Sequence, residues 1–104
     1  MTAVLPAHDL GAEAAILSAV LLEPERLGEV EGLTPEAFFD TKHRWIWSAI
    51  VGVAEAGQPI DAVTVAAWLK ARERLVDAGG VPYLAKVLDE VPAVHNVATY
   101  GALV

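Results

Sequence analysis

Apolar and polar positions along this 104-residue chain recur with the period of helices, and no segment sustains alternation at period two. Leu10, Ala14, Leu17 and Leu21 repeat at four, three and four. Ile16, Val20 and Leu22 widen that stripe, so the first helix is expected to be mostly buried. Asp9 is placed as its N-cap, and Pro24 stops it and opens a short helical turn through Val30. Thr34-Pro35, a capping residue followed by proline at the first helical position, begins a short helix carrying Phe38 and Phe39. Asp40 or Thr41 caps a longer helix that Gly57 ends in the left-handed conformation. Asp61 caps the next, through about Ala71. Gly79-Gly80 breaks the chain before a helix from about Val81 to Glu90, which Pro92 ends. Val94, Val97, Ala98 and Gly101 start a last stripe that reaches Val104.

The expected fold is therefore all-α: a compact orthogonal bundle of about six short helices. Residues 1–8 form a flexible N-terminal arm and residues 9–104 one helical head domain. The last stripe ends without a capping glycine, a terminal Lys or Arg, or a polar tail. The last helix is read as truncated, and the sequence as a fragment of a longer chain. At 100° per residue, Phe39, His43, Ile46, Trp47 and Ile50 share one broad face. With Leu17 and Leu21 of the first helix they form the expected core.

Composition changes this picture in two places. The chain is 55% hydrophobic with a mean hydropathy of +0.44, which raises the question of a membrane. The longest apolar run, Trp45 to Ala54 between Arg44 and Glu55, is far short of the about 20 residues a span requires. Asp9 and Glu13 interrupt what would otherwise read as the apolar part of a secretory signal. A soluble, cytoplasmic chain without a membrane partner is expected, and the absence of cysteine agrees with a reducing compartment. Net charge is −7, from 14 acidic and 7 basic residues. The one basic cluster, Lys70, Arg72 and Arg74, is diluted by Glu73 and Asp77, so direct nucleic-acid binding is not expected.

Reactive constellations are absent from the sequence. There is no G-x-x-x-x-G-K-[ST] phosphate loop and no G-x-G-x-x-G, and His8, His43 and His95 have no ligand spacing. No catalytic, cofactor-binding or metal-ligating residues are assigned. His43 lies near the centre of the apolar face of its helix. Without a second ligand or a nucleophile it reads as a core histidine hydrogen-bonded to backbone. Trp45 lies opposite that face, and Trp68 lies off the apolar face of its own helix. Each either packs beneath a neighbouring segment or marks a contact surface, and both are carried as candidate partner-contact residues. Glu23, Glu25, Glu29, Glu31 and Glu36 read as a solvated rim.

Four ordered stretches resemble one family. They are Pro6-Ala-His8-Asp9-Leu10-Gly-Ala12-Glu13-Ala-Ala15-Ile16-Leu17; Phe38-Phe39-Asp40-x-x-His43-Arg44-x-Ile46; Gly57-Gln58-Pro59-Ile60-Asp61-Ala-Val63-Thr64; and Val76-Asp-Ala-Gly79-Gly80-Val-Pro-Tyr83-Leu84-Ala85, continued by Val91-Pro92 and Asn96 to Tyr100. Over about residues 5 to 104 they look like the N-terminal domain of bacterial replicative DNA helicases of the DnaB family. The resemblance implies a non-catalytic head whose parent is a hexameric, ATP-driven helicase. The parent's ATP and Mg would sit in a motor domain absent here. It further implies a helical hairpin after the head, a collar formed with other copies of the chain, and docking of primase and a helicase loader in the primosome. Where the family is usually polar this chain has Trp45, Ala67 and Trp68, which makes its surface more apolar. A free-standing helical regulatory or dimerisation module, unrelated to replication, is the alternative from the residues alone.

Overall fold

The computed structural model describes residues 10–30 and 32–89. Among them the chain forms four α-helices: α1 (Leu10–Leu22), α2 (Thr41–Glu55), α3 (Ala62–Ala71) and α4 (Gly80–Asp89). Two 3-10 turns, Pro24–Val30 and Pro35–Ala37, lie between α1 and α2, and there is no strand among the described residues. The fold is all-helical, as the periodicity predicts. The N-terminal arm, the Asp9 cap and the truncated last helix lie outside the described residues.

Helix α1 is the centre of the domain. Every side chain from Ala12 to Leu21 is buried, which follows from a helix that is apolar all round and from the four alanines that let neighbours approach closely. Phe38, then Ile46, Trp47 and Ile50 of α2, and Leu84 and Val87 of α4 share its core, and Val65 and Leu69 of α3 join that core from beyond α2 and α4.

Local chemistry fixes the helix ends. The Asp40 carboxylate accepts the Lys42 N–H (2.8 Å) and caps α2. The other end of α2 is closed by two reversed bonds, Gly57 N–H to Ala54 O (3.0 Å) and Gln58 N–H to Val53 O (3.1 Å), with Gly57 at φ 73°. A capping box opens α3: Thr64 N–H donates to Asp61 Oδ1 (2.8 Å) and Asp61 N–H to Thr64 Oγ1 (3.0 Å). The same C-terminal motif closes α3, but its left-handed position is held by Glu73 at φ 59° instead of glycine. Arg74 N–H donates back to Leu69 O there, at 2.8 Å.

One expected core residue is not in the core. Phe39 is 55% exposed, whereas Phe38 is fully buried. The predicted short helix ends at Ala37, and Phe38 is already extended at φ −91°, ψ 137°. Phe39 precedes the Asp40 cap and so lies outside α2, where helical spacing does not set its direction. Leu17, Leu21, His43, Ile46, Trp47 and Ile50 are all buried.

Gly52 shows how closely α2 and α3 approach. A Cβ on Gly52 would come within 2.3 Å of the Trp68 indole nitrogen, so the ring occupies the space a side chain would need. Gly52→Ala is expected to destabilise the domain by about 1–3 kcal/mol through overpacking, despite a helix-propensity gain of about 1 kcal/mol. Gly11→Ala, where nothing lies within 4 Å of the added carbon, should be neutral or better. Urea unfolding of the two variants side by side measures the difference, and a stabilised Gly52→Ala would contradict the close approach.

Candidate functional site: a buried polar cluster and two outer tryptophans

Three polar side chains meet inside the domain. Glu13 of α1 is 4% exposed and His43 of α2 is 1% exposed. The His43 Nδ1–H donates to Glu13 Oε1 (2.8 Å), because a carboxylate can only accept. In the neutral ring, Nε2 then accepts the Tyr83 O–H from α4 (2.6 Å). The same carboxylate accepts the backbone N–H of Phe39 (2.7 Å) and of Asp40 (3.3 Å). Tyr83 stacks on the imidazole at 5.9 Å and lies beneath the Lys42 ammonium at 5.2 Å. The core histidine is therefore held by two side chains, not by backbone as its sequence position suggests. The cluster ties α1, the start of α2 and α4 together. An acid, an imidazole and a phenol in line are the groups of which proton relays are built. Here every bond is spent inside the fold, and the depressions described below are lined by other residues.

Asp40, next to this cluster, is pulled two ways. Partial burial pushes its carboxyl up, but the Lys42 N–H, the nearby His43 and the Lys42 ammonium outweigh that and hold it below its usual value. A depressed folded-state pKa contributes stability that is present above the unfolded value and lost as pH falls through the folded one. Asp40→Ala should cost about 1 kcal/mol at pH 7 as a lost N-cap. The gap between variant and parent should close in acid. Denaturant unfolding at neutral pH and below the carboxyl range tests this, and a pH-independent gap would remove the carboxylate from the account.

The two candidate contact residues are half-buried on the outer side of α2. Trp68 lies on Gly52, with the Arg72 guanidinium 3.7 Å over its ring. Trp45 has the Arg74 guanidinium 5.1 Å from its ring centre. Both rings pack against the edge of the core as well as facing outward. Beside Trp45 is a depression of about 280 Å3 lined by Pro35, Glu36, Thr41, Arg44, Trp45 and Ser48. A second, of about 340 Å3, runs from Leu27 and Leu33 past Trp47 to Glu55. A third, between α3 and α4, is almost wholly apolar and includes the exposed Val63 and Val81. Of the expected acidic rim, Glu23 and Glu29 are engaged by Arg26, and Glu31 lies outside the described residues. Among the described residues no group of three or more His, Cys, Asp or Glu is placed to hold a metal ion, and no helix is long and apolar enough to cross a membrane.

This is an all-helical scaffold whose internal polar groups serve the fold and two of whose tryptophans, Trp45 and Trp68, reach its outer face. The chain belongs to the family of DnaB-like helicase N-terminal domains, whose family model matches residues 5–104. It is 43% identical over 101 residues to the replicative DNA helicase DnaB of Geobacillus stearothermophilus, spanning 96% of this chain and 22% of that protein. Among solved structures it is similar to the N-terminal domain of DnaB helicase from Mycobacterium tuberculosis. The TM-score there is 0.87 at 37% identity, over 94% of this chain and 72% of that one. It also resembles a DnaB-like replicative helicase whose structure was described together with its interactions with primase. That match has a TM-score of 0.78 at 31% identity, over 89% of this chain and 22% of that one. The chain thus spans about a fifth of the curated relative's length.

Proposed function

We propose that this chain is the non-catalytic oligomerisation and protein-docking domain of a hexameric, ATP-dependent replicative DNA helicase, acting in bacterial cytoplasm. The observation that carries the reading is the family match across residues 5–104, supported by a structural relative described with primase. Primase is the partner this favours, with other copies of the chain forming a collar and a helicase loader as a further partner. The sequence holds no phosphate loop, so ATP and Mg would be bound by a motor outside these 104 residues. A net charge of −7 argues against direct DNA contact by this domain. Family membership speaks against a free-standing regulatory module.

The test uses the full-length helicase and its own primase in sedimentation at rising concentration. Wild type is expected to form hexamers that retain primase, while the 104-residue chain alone self-associates only weakly. Trp45→Glu in the full-length protein should weaken the hexamer or primase retention, while costing the domain about 1 kcal/mol because its ring is half-buried. A tight hexamer of the 104-residue chain, or primase retained by a helicase lacking this domain, would overturn the reading.

A further inference from the structure

We infer that the outer face of α2 binds a short acidic segment of a partner protein, with Arg72 and Arg74 receiving its carboxylates and the depression beside Trp45 receiving a neighbouring apolar side chain. This deepens the docking reading above and rests on it for the existence of a protein partner.

Placement is the first argument. Trp45 and Gly52 are seven residues apart on α2, nearly two full turns, so they lie on one stripe of the helix. Because Trp68 fills the space over Gly52, the two indoles follow one another along that stripe, at positions about 10 Å apart on the helix axis. The connection from α3 to α4 turns back at Glu73, in its left-handed conformation, and lays Arg72 over Trp68 and Arg74 over Trp45. The result is a pair of stacked arginine–tryptophan units on one face.

Their hydrogen bonding is incomplete. One nitrogen of each is committed: Arg72 Nη1 donates to Trp68 O (3.3 Å), and Arg74 Nη1 to the exposed Asp77 carboxylate (3.0 Å). A guanidinium has five N–H donors, so each retains several, and its planar fork matches a carboxylate. Stacking on an indole already restricts the side chain, which lowers the ordering cost of binding.

Charge points to the class of ligand. Arg44, Arg72 and Arg74 put three of the chain's seven basic residues on this face. Elsewhere Arg26 is held by Glu23 and Glu29, and Lys42 by Asp40. Glu36, Glu73 and Asp77 interrupt the basic area, so it cannot follow a run of evenly spaced phosphates. It suits a segment with one or two carboxylates beside an apolar residue.

The experiment follows the three indole N–H resonances of the 15N-labelled 104-residue chain by NMR. Trp47, whose indole N–H donates to Leu33 O, serves as the internal reference. The probes are an amidated Asp-Asp-Leu-Phe-Glu-Glu peptide, its Asn/Gln counterpart, and single-stranded oligodeoxythymidine. The acidic peptide is expected to shift the Trp45 and Trp68 resonances and leave Trp47 in place. The Arg72→Gln/Arg74→Gln double variant should weaken it about tenfold or more, the scale of one lost charged hydrogen bond. Glu73→Asn, which tolerates the left-handed backbone and removes a carboxylate, should tighten it. No shift at millimolar peptide, or equal binding of the Asn/Gln peptide, would overturn the inference. Tighter binding of the oligonucleotide would overturn it in favour of a nucleic-acid surface. If the peptide fails while the full-length helicase still retains primase, this inference falls and the docking reading stands; the converse result separates them the other way.

Discussion

Glu13→Ala is expected to lower the unfolding free energy by about 3–5 kcal/mol, since three buried donors lose one shared acceptor at about 1–3 kcal/mol each. Such a loss is a large part of the roughly 5–15 kcal/mol that holds a domain together. The effect has three sources at one carboxylate. The Phe39 and Asp40 N–H groups lose their acceptor at the entry to α2, and His43 Nδ1–H loses its own inside the core. Glu13→Gln keeps the shape but turns one acceptor into a donor facing donors, so it should fall between parent and alanine. The double variant Glu13→Leu/His43→Leu should recover only part of the loss, because the two backbone N–H groups stay unpaired whatever happens to the imidazole. Urea unfolding followed by circular dichroism measures all three. A Glu13→Ala loss below about 1 kcal/mol would mean that water reaches these donors and that the site is not sealed.

This cluster also marks the limit of what the sequence makes legible. Helix existence and most boundaries follow from local chemistry. Asp40, Asp61 and Gly57 act within a few residues of themselves, and their structural roles match the sequence reading. Pairing across 30 residues has no such local signature. Glu13 reads along the chain as an interruption of an apolar run, yet its spacing to Leu17 and Val20 puts it on the buried side of α1. His43 likewise stands on an apolar face. An acid and an imidazole, each on a face that must be buried, would each need a partner, and that complementarity is the signal by which the pair could have been found. Phe39 departs from its expected place for another reason: it precedes the Asp40 cap, where the helical period does not apply. For the outer face, sequence placed Trp45 and Trp68 on polar sides of their helices. The arginines that stack on them depend on the backbone reversal at Glu73, a residue type that carries no strong turn signal.

Trp47→Ala should be as damaging as Glu13→Ala, about 3–5 kcal/mol, but by a different mechanism. Trp47 is among the largest fully buried side chains, and its ring lies 5.4 Å from that of Phe38 at a tilt of 36°. Truncation removes that contact, opens a void next to the depression between Leu27 and Val51, and leaves Leu33 O without the indole N–H it accepts at 3.0 Å. Trp47→Phe separates these terms. It keeps most of the apolar area and loses the hydrogen bond, so it should cost about 1–3 kcal/mol, the scale of an unsatisfied buried acceptor. Two residues apart on α2, Trp47 and Trp45 point 200° from each other, one into the core and one outward. The two substitutions should therefore part company in a paired measurement. Trp47→Ala would reduce partner binding only in proportion to the unfolded fraction, and a stabilising osmolyte such as TMAO would restore it. Trp45→Glu would reduce binding in molecules that remain folded, and the osmolyte would not. Rescue of both alike would place Trp45 with the core and remove it from the docking face.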